Sequence, residues 1–260
     1  MSSLGTVDTS ANRPPTHVGD VLDRLQRDPG RPRLTWYGED GERIELSGAV
    51  LVNWVNKTTN LLVEEFDAAP GTRVLLDLPG HWRTLVWALA TWRAGACVVR
   101  PDGPAAVDTV VTCHPGQHAD APEVVAVALP ALARAWPGDL PGGAVDAAAA
   151  VMTYADALGP TPPTDPASPA LDDGRGTGPL RHADLLGPVA GTPAGAGTSG
   201  TGRGDRALLT AAEPVGPLLL RALAVWASDG SVVLVAPAVA QDRARLERLI
   251  ADERVDAPLG

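Results

Sequence analysis

Three sets of residues in this sequence have the composition to do chemistry. The first is a pair of runs rich in glycine and hydroxyl groups, Gly176-Thr177-Gly178-Pro179 and Thr198-Ser199-Gly200-Thr201-Gly202-Arg203. Successive backbone amides in such runs can cradle phosphate oxygens, so Thr177, Gly178, Thr198, Ser199, Gly200, Thr201 and Gly202 are candidate phosphate contacts. The same letters also accumulate by composition, because 187–204 is almost entirely Gly, Ala, Pro, Ser and Thr. The second set is His81-Trp82-Arg83, at the start of a helical pattern. There Arg83 and free helix amides could hold an anion or an acyl group. The competing reading packs Trp82 on a sheet and leaves His81 and Arg83 in solvent. The third set is Cys97, Cys113, His114 and His118, which have the chemistry of zinc ligands but not a common paired spacing. Cys113 and His114 are neighbours, and side chains of neighbours on an extended chain point apart, which argues against a thiol–imidazole pair. Asp172-Asp173 and Glu64-Glu65 read as a solvated loop and a helix end. Lysine chemistry is restricted to one position, since 20 of the 21 basic residues are arginine and Lys57 is the exception.

The elements that must position these groups centre on residues 71–99. Arg73 to Leu78 is a short apolar run with one carboxylate, Asp77, ended by Pro79-Gly80 and therefore a strand. Trp82 to Trp92 repeats apolar residues at three and four, which predicts a helix with Leu85, Leu89 and Trp92 inward and Arg93 on the outer face. Gly95 stands where a helix end needs a left-handed residue, and Ala96 to Val99 starts a buried strand. Strand, helix and strand in this order form a right-handed crossover with parallel strands. The motif recurs: ALATWRAGACVV at 88–99 and ALAVWASDGSVV at 222–233 match closely, with one extra residue before the second glycine.

Other elements follow in chain order. Residues 1–15 read as a flexible arm and 16–260 as the folded region. His17 to Gln26 is helical, and Leu34–Tyr37 with Arg43–Leu46 is a hairpin around Gly38-Glu39-Asp40-Gly41. Ser47 caps a long helix whose stripe from Val50 and Leu51 to Phe66 faces a core, with Lys57 and Asn60 outside. Val107–Thr112 and Glu123–Leu129 are strands, and Ala144–Leu158 is alanine-rich and helical. Segments 159–169 and 187–204 lack apolar side chains to bury and read as flexible, while the end of 171–186 allows one or two helical turns. Arg206–Thr210, Pro217–Trp226 and Ser231–Val235 repeat the central unit. Gln241–Arg254 is an amphipathic helix with surface pairs Arg243–Glu247 and Arg248–Asp252. This gives a sheet unit at 70–135 and a second formed by 16–66 with 205–256.

Composition excludes several functions. A formal charge of −10 with no basic run argues against nucleic acid. No apolar stretch is long enough for a bilayer, and the first residues do not form a secretory signal. Two cysteines make no disulfide framework, so a reduced, cytoplasmic setting is the expectation.

These pieces in this order resemble the N-terminal portion of the adenylate-forming superfamily: acyl-CoA synthetases, peptide-synthetase adenylation domains and luciferases. RLTWYGEDGERIELSGAVLVNWVNKTTNLL is similar to that family's hairpin and first long helix. PGTRVLLDLPGHWRTLVWALATWRAGACVVRPD is similar to its strand, helix and strand. GDRALLTAAEPVGPLLLRALAVWASDGSVVLV resembles the unit after its phosphate loop, and ARLERLIADERVD the following helix. The resemblance spans 22–256, and the sequence is also close to short stand-alone relatives of AMP-binding enzymes from GC-rich, actinobacterial-type genomes.

The resemblance implies an α/β fold of layered, parallel-rich sheets with covering helices. It also implies a phosphate loop ending in Pro-Lys-Gly, and here the sequence departs from the family. Gly176 to Pro179 precedes His182-Ala183-Asp184-Leu185-Leu186 as the signature precedes a His-x-x-Leu-Leu helix, but carries no lysine. Thr198 to Arg203 copies the opening letters and runs directly toward a strand. The adenine segment, the ribose-binding aspartate and the lysine-bearing C-terminal domain have no counterpart, and arginine's planar fork is not equivalent to lysine's point charge. The expectation is a truncated, non-catalytic binding or regulatory module that requires no cofactor, with ATP or AMP left open. A protein partner, a homo-oligomer and a nucleotide or acyl ligand also remain open. The alternative is a divergent acyl-activating enzyme that needs a partner chain.

Overall fold

The computed structural model describes residues 14–101, 106–174, 178–187 and 204–256. Most of the expected arm, 1–13, lies outside them. The elements are α1 (Val18–Leu25), β1 (Pro32–Tyr37), β2 (Arg43–Ser47), α2 (Gly48–Phe66), β3 (Arg73–Asp77), α3 (Trp82–Arg93), β4 (Cys97–Val99), β5 (Thr109–Thr112) and β6 (Glu123–Ala126). They continue with β7 (Val145–Asp146), α4 (Ala147–Ala150), β8 (Pro169–Asp172), β9 (Leu180–Arg181), β10 (Arg206–Thr210), α5 (Val215–Ala227), β11 (Ser231–Val235), α6 (Pro237–Gln241) and α7 (Arg243–Asp252).

Two sheets organise these elements. The four-stranded sheet has the order β10-β11-β1-β2, so the N-terminal hairpin completes a sheet begun by the last crossover unit. Its β10, β11 and β1 are parallel, and only β2 is antiparallel. The seven-stranded sheet has the order β7-β6-β5-β3-β4-β8-β9, parallel except at β9. Parallel sheets require cover on both faces, and the strands accordingly read as apolar runs: β11 is buried at all five positions. The α/β fold of mostly parallel sheets with covering helices is therefore present. α3 is the central helix, with eleven of its residues buried, Leu85, Leu89 and Trp92 among them.

Local chemistry explains the element ends. Ser47 Oγ accepts from Val50 N at 3.4 Å and starts α2. Gly41, at φ +80°, turns the β1–β2 hairpin, and Gly38 N donates to Glu42 O at 2.8 Å. Asp242 separates α6 from α7 and caps α7, the expected amphipathic helix, by accepting from Arg245 N at 3.0 Å.

Several expectations are corrected. Ala144–Leu158 is not a long helix: α4 is one turn, followed by a 3₁₀ turn at Val151–Thr153 and irregular chain. Alanine has the highest helix propensity, but propensity yields to packing: Asn56, Lys57 and Asn60 of α2 bond to the carbonyls of Asp156, Tyr154, Ala155 and Ala157 and hold that chain out of a helix. The 171–186 segment gives β8, β9 and a 3₁₀ turn at His182–Asp184, which extend the larger sheet. Asp172 is no loop residue; it ends β8 and pairs with Arg73 at 2.8 Å. Lys57 and Asn60 do not face solvent, because residues 154–159 cover that side of α2. Asn60 Nδ2 donates to Ala157 O at 3.0 Å and its Oδ1 accepts from Gly159 N at 2.8 Å, so the first residue of the 159–169 segment is tied down. Val50 is exposed rather than inward. Arg93 is partly buried, with Nε and Nη1 shielded and unpartnered, and burial lowers its pKa. Among the described residues, no helix is long and apolar enough to cross a membrane.

Candidate functional site

The chemistry-bearing side chains gather beyond the carboxyl ends of β3 and β5. β3 continues through α3 to β4 on one side, while β5 pairs with its other edge, so the strand order turns back here. Ligands of open α/β sheets bind outside such reversals.

One cluster lies directly on the strand ends. Asp77, the last residue of β3, places Oδ2 2.9 Å from His118 Nε2 and accepts from Thr112 Oγ1 at 2.7 Å. Burial alone would raise the Asp77 carboxyl, but the hydrogen bonds from His118 and Thr112 outweigh it and hold the group below its ordinary value. Cys113 Sγ lies 3.4 Å from His114 Nδ1. The expectation that these neighbours point apart is wrong, because the strand ends at Thr112 and His114 turns away at φ −131°, ψ 59°. The thiol is not activated: burial and the Asp77 charge raise its pKa. Burial pushes the Cys97 thiol up to about 11. Among the described residues, no three His, Cys, Asp or Glu side chains are placed to hold a metal. Asp77 with His118 is the pair that sequence reasoning missed. The usable signal was a lone carboxylate at the end of an otherwise apolar strand.

The second cluster opens α3. His81 caps the helix, its Nδ1 accepting from Arg83 N at 3.2 Å, and its ring stands edge-on to Trp36 at 4.7 Å. Burial and the neighbouring Arg83 lower its pKa to about 3, so it is neutral at pH 7. Arg83 donates to Leu129 O at 3.4 Å and to Pro130 O and Ala131 O at 3.3 Å. Its guanidinium lies 4.4 Å from the Trp82 ring centroid and 5.6 Å from that of Trp54. Burial lowers its pKa to about 10, so the charge persists. Glu42 joins the hairpin to this cluster: its carboxylate accepts from Ala131 N and Trp36 Nε1, each at 2.8 Å. Both His81 and Arg83 are buried, so neither is the solvated side chain of the bland reading. Beside them Trp54, Trp82, Arg83 and Val151 line a cavity of about 10 Å³, the lower limit for one water.

The remaining candidates lie apart. Gly178 is exposed in the turn before β9 at φ +132°, with open space where a Cβ would stand. Thr177, Thr198, Ser199, Gly200, Thr201 and Gly202 lie outside the described residues. His182 is buried with Nε2 3.0 Å from Gly95 O, an internal tie. Lys57 donates to Tyr154 O and pairs with Asp156 at 2.9 Å.

The fold has clear relatives among solved structures. It aligns with an acyl-CoA synthetase of Brucella canis at TM-score 0.73 and 19% identity, covering 98% of this chain and 50% of that one. It aligns with the amide bond synthetase Mcba of Marinactinospora thermotolerans at TM-score 0.63 and 19% identity, covering 92% and 47%. The chain thus spans about half the length of these enzymes, and the likeness is one of fold, as the adenylate-forming resemblance implies. No family model matches the sequence. A Mycobacterium tuberculosis (strain H37Rv) protein named a TIGR03089 family protein is 36% identical over 254 residues, covering 93% of this chain and 97% of its own length. Identity at that level across nearly the whole of both chains means that the chain belongs to the TIGR03089 family.

Proposed function

We propose that this chain is a non-catalytic member of the adenylate-forming fold that acts as a binding or regulatory module. The observation that carries this reading is the placement of its single lysine. Lys57 is spent on Tyr154 O and Asp156 along α2, where it holds irregular chain against the helix. Phosphoryl and adenylyl chemistry needs a positioned cation against developing negative charge. The described residues fit a nucleotide triphosphate poorly: Gly178 sits in an open turn, and His81 and Arg83 already bond to protein atoms.

The test is pyrophosphate exchange into ATP with a panel of aliphatic, aromatic and amino acids, run beside thermal melts with ATP, AMP and CoA. Exchange at the blank level is expected. Acid-dependent exchange above the blank would sink the reading. A melting shift with nucleotide but no exchange would leave it intact and name a ligand.

A further inference from the structure

The last helix is held to the molecule differently from the helix before it in the same sheet unit. α7 has one buried residue, Leu249, where α5 has nine. Leu246, Ile250 and Val255 pack against the core only partly buried. Apolar burial, which scales with the area removed from water, therefore contributes little to the attachment of α7. Its pair Arg243–Glu247 is exposed and lies within the helix, so it adds nothing to docking.

The attachment is ionic and converges on the residue that ends the helix. The Glu253 side chain, 8% exposed, reaches β1, β2 and β10 at once. Its Oε1 accepts from Tyr37 Oη, and from Arg43 Nη2 at 2.9 Å and Nε at 3.2 Å. Its Oε2 accepts from Arg206 Nη2, which also donates to Thr35 Oγ1 at 2.9 Å. Glu45 accepts from the same Arg43 at 2.6 Å. Past Glu253 the chain turns at Arg254, φ +49°, a left-handed conformation that costs a non-glycine residue and persists where its surroundings hold it. The turn carries Asp256 to β10, where its amide donates to Arg206 O at 2.9 Å and its carboxylate accepts from Arg206 N at 2.8 Å. At the other end of α7, Arg245 donates to Gly38 O at 3.2 Å and Glu39 O at 3.3 Å.

We propose that α7 with residues 253–256 is a latch closed by the Glu253 carboxylate, and that it lifts from the smaller sheet as a unit when that carboxylate is neutralised. The sheet beneath does not depend on it, because β11 is buried at all five positions and joins β10 to β1. Lifting uncovers Leu249 beside Leu246 and Ile250 and takes the carboxylate from Arg206, so the lifted state presents an apolar helix face and a guanidinium that the docked state covers. Burial alone would raise the Glu253 carboxyl, but the bonds from Tyr37, Arg43 and Arg206 outweigh it and hold the group below its ordinary value of 4.5. A lifted Glu253 titrates at that ordinary value. Docking is therefore strongest above pH 4.5 and weakens as the pH falls through the lower value of the docked state. The latch stands independently of the binding-module reading.

The experiment is hydrogen exchange read by mass spectrometry on the whole chain, wild type beside Glu253→Gln, from pH 7 to pH 3.5 with rates corrected for the intrinsic pH dependence. At pH 7 Glu253→Gln should speed exchange across 243–256 by about ten- to hundredfold, as for the loss of hydrogen bonds to a charged group, and leave α5 and β11 unchanged. In the wild type, exchange across 243–256 should move toward that of the variant as the pH falls, while the variant stays level. Arg43→Gln, at a half-exposed position, should give a smaller change confined to the same segment. Protection lost from 243–256 and β11 together, or unchanged exchange in Glu253→Gln, would overturn the proposal. So would a pH dependence that survives in Glu253→Gln, since Asp242, Asp256 or Glu45 would then be the group that titrates.

Discussion

The two crossover units, β3–α3–β4 and β10–α5–β11, are built to one plan and furnished differently. Trp92 and Trp226 occupy matching positions, and each donates its indole N–H at 2.8 Å to a carbonyl, of Ala170 in the larger sheet and of Arg33 in the smaller. Each thereby ties its helix to a neighbouring strand. The helix ends differ by the one inserted residue. In the first unit Gly95 itself takes the left-handed turn at φ +80°. In the second the turn moves to Asp229 at φ +63°, whose carboxylate then pairs with Arg33, and Gly230 is kept for another reason. A Cβ there would stand 2.7 Å from Asp205 O. At the opposite end the contrast is chemical. His81 and Arg83 open α3, with the Asp77–His118 pair on the strand end before it, whereas α5 begins after Pro214 with no side-chain cap. A shared frame therefore says little about shared chemistry, because the frame depends on apolar spacing and the chemistry on residues at one loop.

The largest test of the shared plan removes the matching buried leucines. Leu89→Ala and Leu223→Ala, at 1% and 0% exposure, should each cost about 2–5 kcal/mol by denaturant unfolding. Loss at one site and indifference at the other would break the equivalence. Next come the glycines. Gly230→Ala must move backbone and should cost about 1–3 kcal/mol. Gly95→Ala, strained by its φ and 3.0 Å from Pro70 Cγ, should cost about 1–2 kcal/mol, the penalty of a left-handed side chain. The reverse order, read from the same melts, would mean that the insertion is not accommodated as described. Trp92→Phe and Trp226→Phe should each lose at least about 1 kcal/mol, the net worth of one buried hydrogen bond. An effect in one unit alone would show that the tie is not common to both.

The last test is one of slope and belongs to the first unit alone. His81 has a folded pKa of about 3 against an ordinary value of 6.5, so the unfolded chain binds more protons between those limits. Stability from this group is present above pH 6.5 and falls as pH drops toward 3. His81→Asn, which keeps an acceptor for Arg83 N, should flatten that acid limb in urea midpoints measured from pH 7 to 4. An unchanged limb would mean that the imidazole is not buried in its neutral form.

Much of the frame was legible because it is local. Periods of three and four set α2 and α3, Ser47 announced a cap, glycines marked the turns, and β10 and β11 fall on the expected residues. Failures came where neighbours override local preference. Four alanines from Ala147 made one turn rather than a long helix, and β8 formed in a proline-rich stretch because the edge of β4 was open to it. Lys57 and Asn60 carry polar side chains that periodicity assigns to solvent. They are covered because their donors are the partners that residues 154–159 require.

For the site, sequence by itself determined which groups exist: one lysine, His81 next to Trp82 and Arg83, and a carboxylate closing β3. Only the tertiary structure decided what they meet. Asp77 finds His118 across 41 residues because β3 and β5 are adjacent and end together. Arg83 finds the carbonyls of 129–131 because the chain leaves β6 over the start of α3. Such pairings depend on strand order and register, which are long-range contacts, whereas a sequence window reads only the spacing along one element.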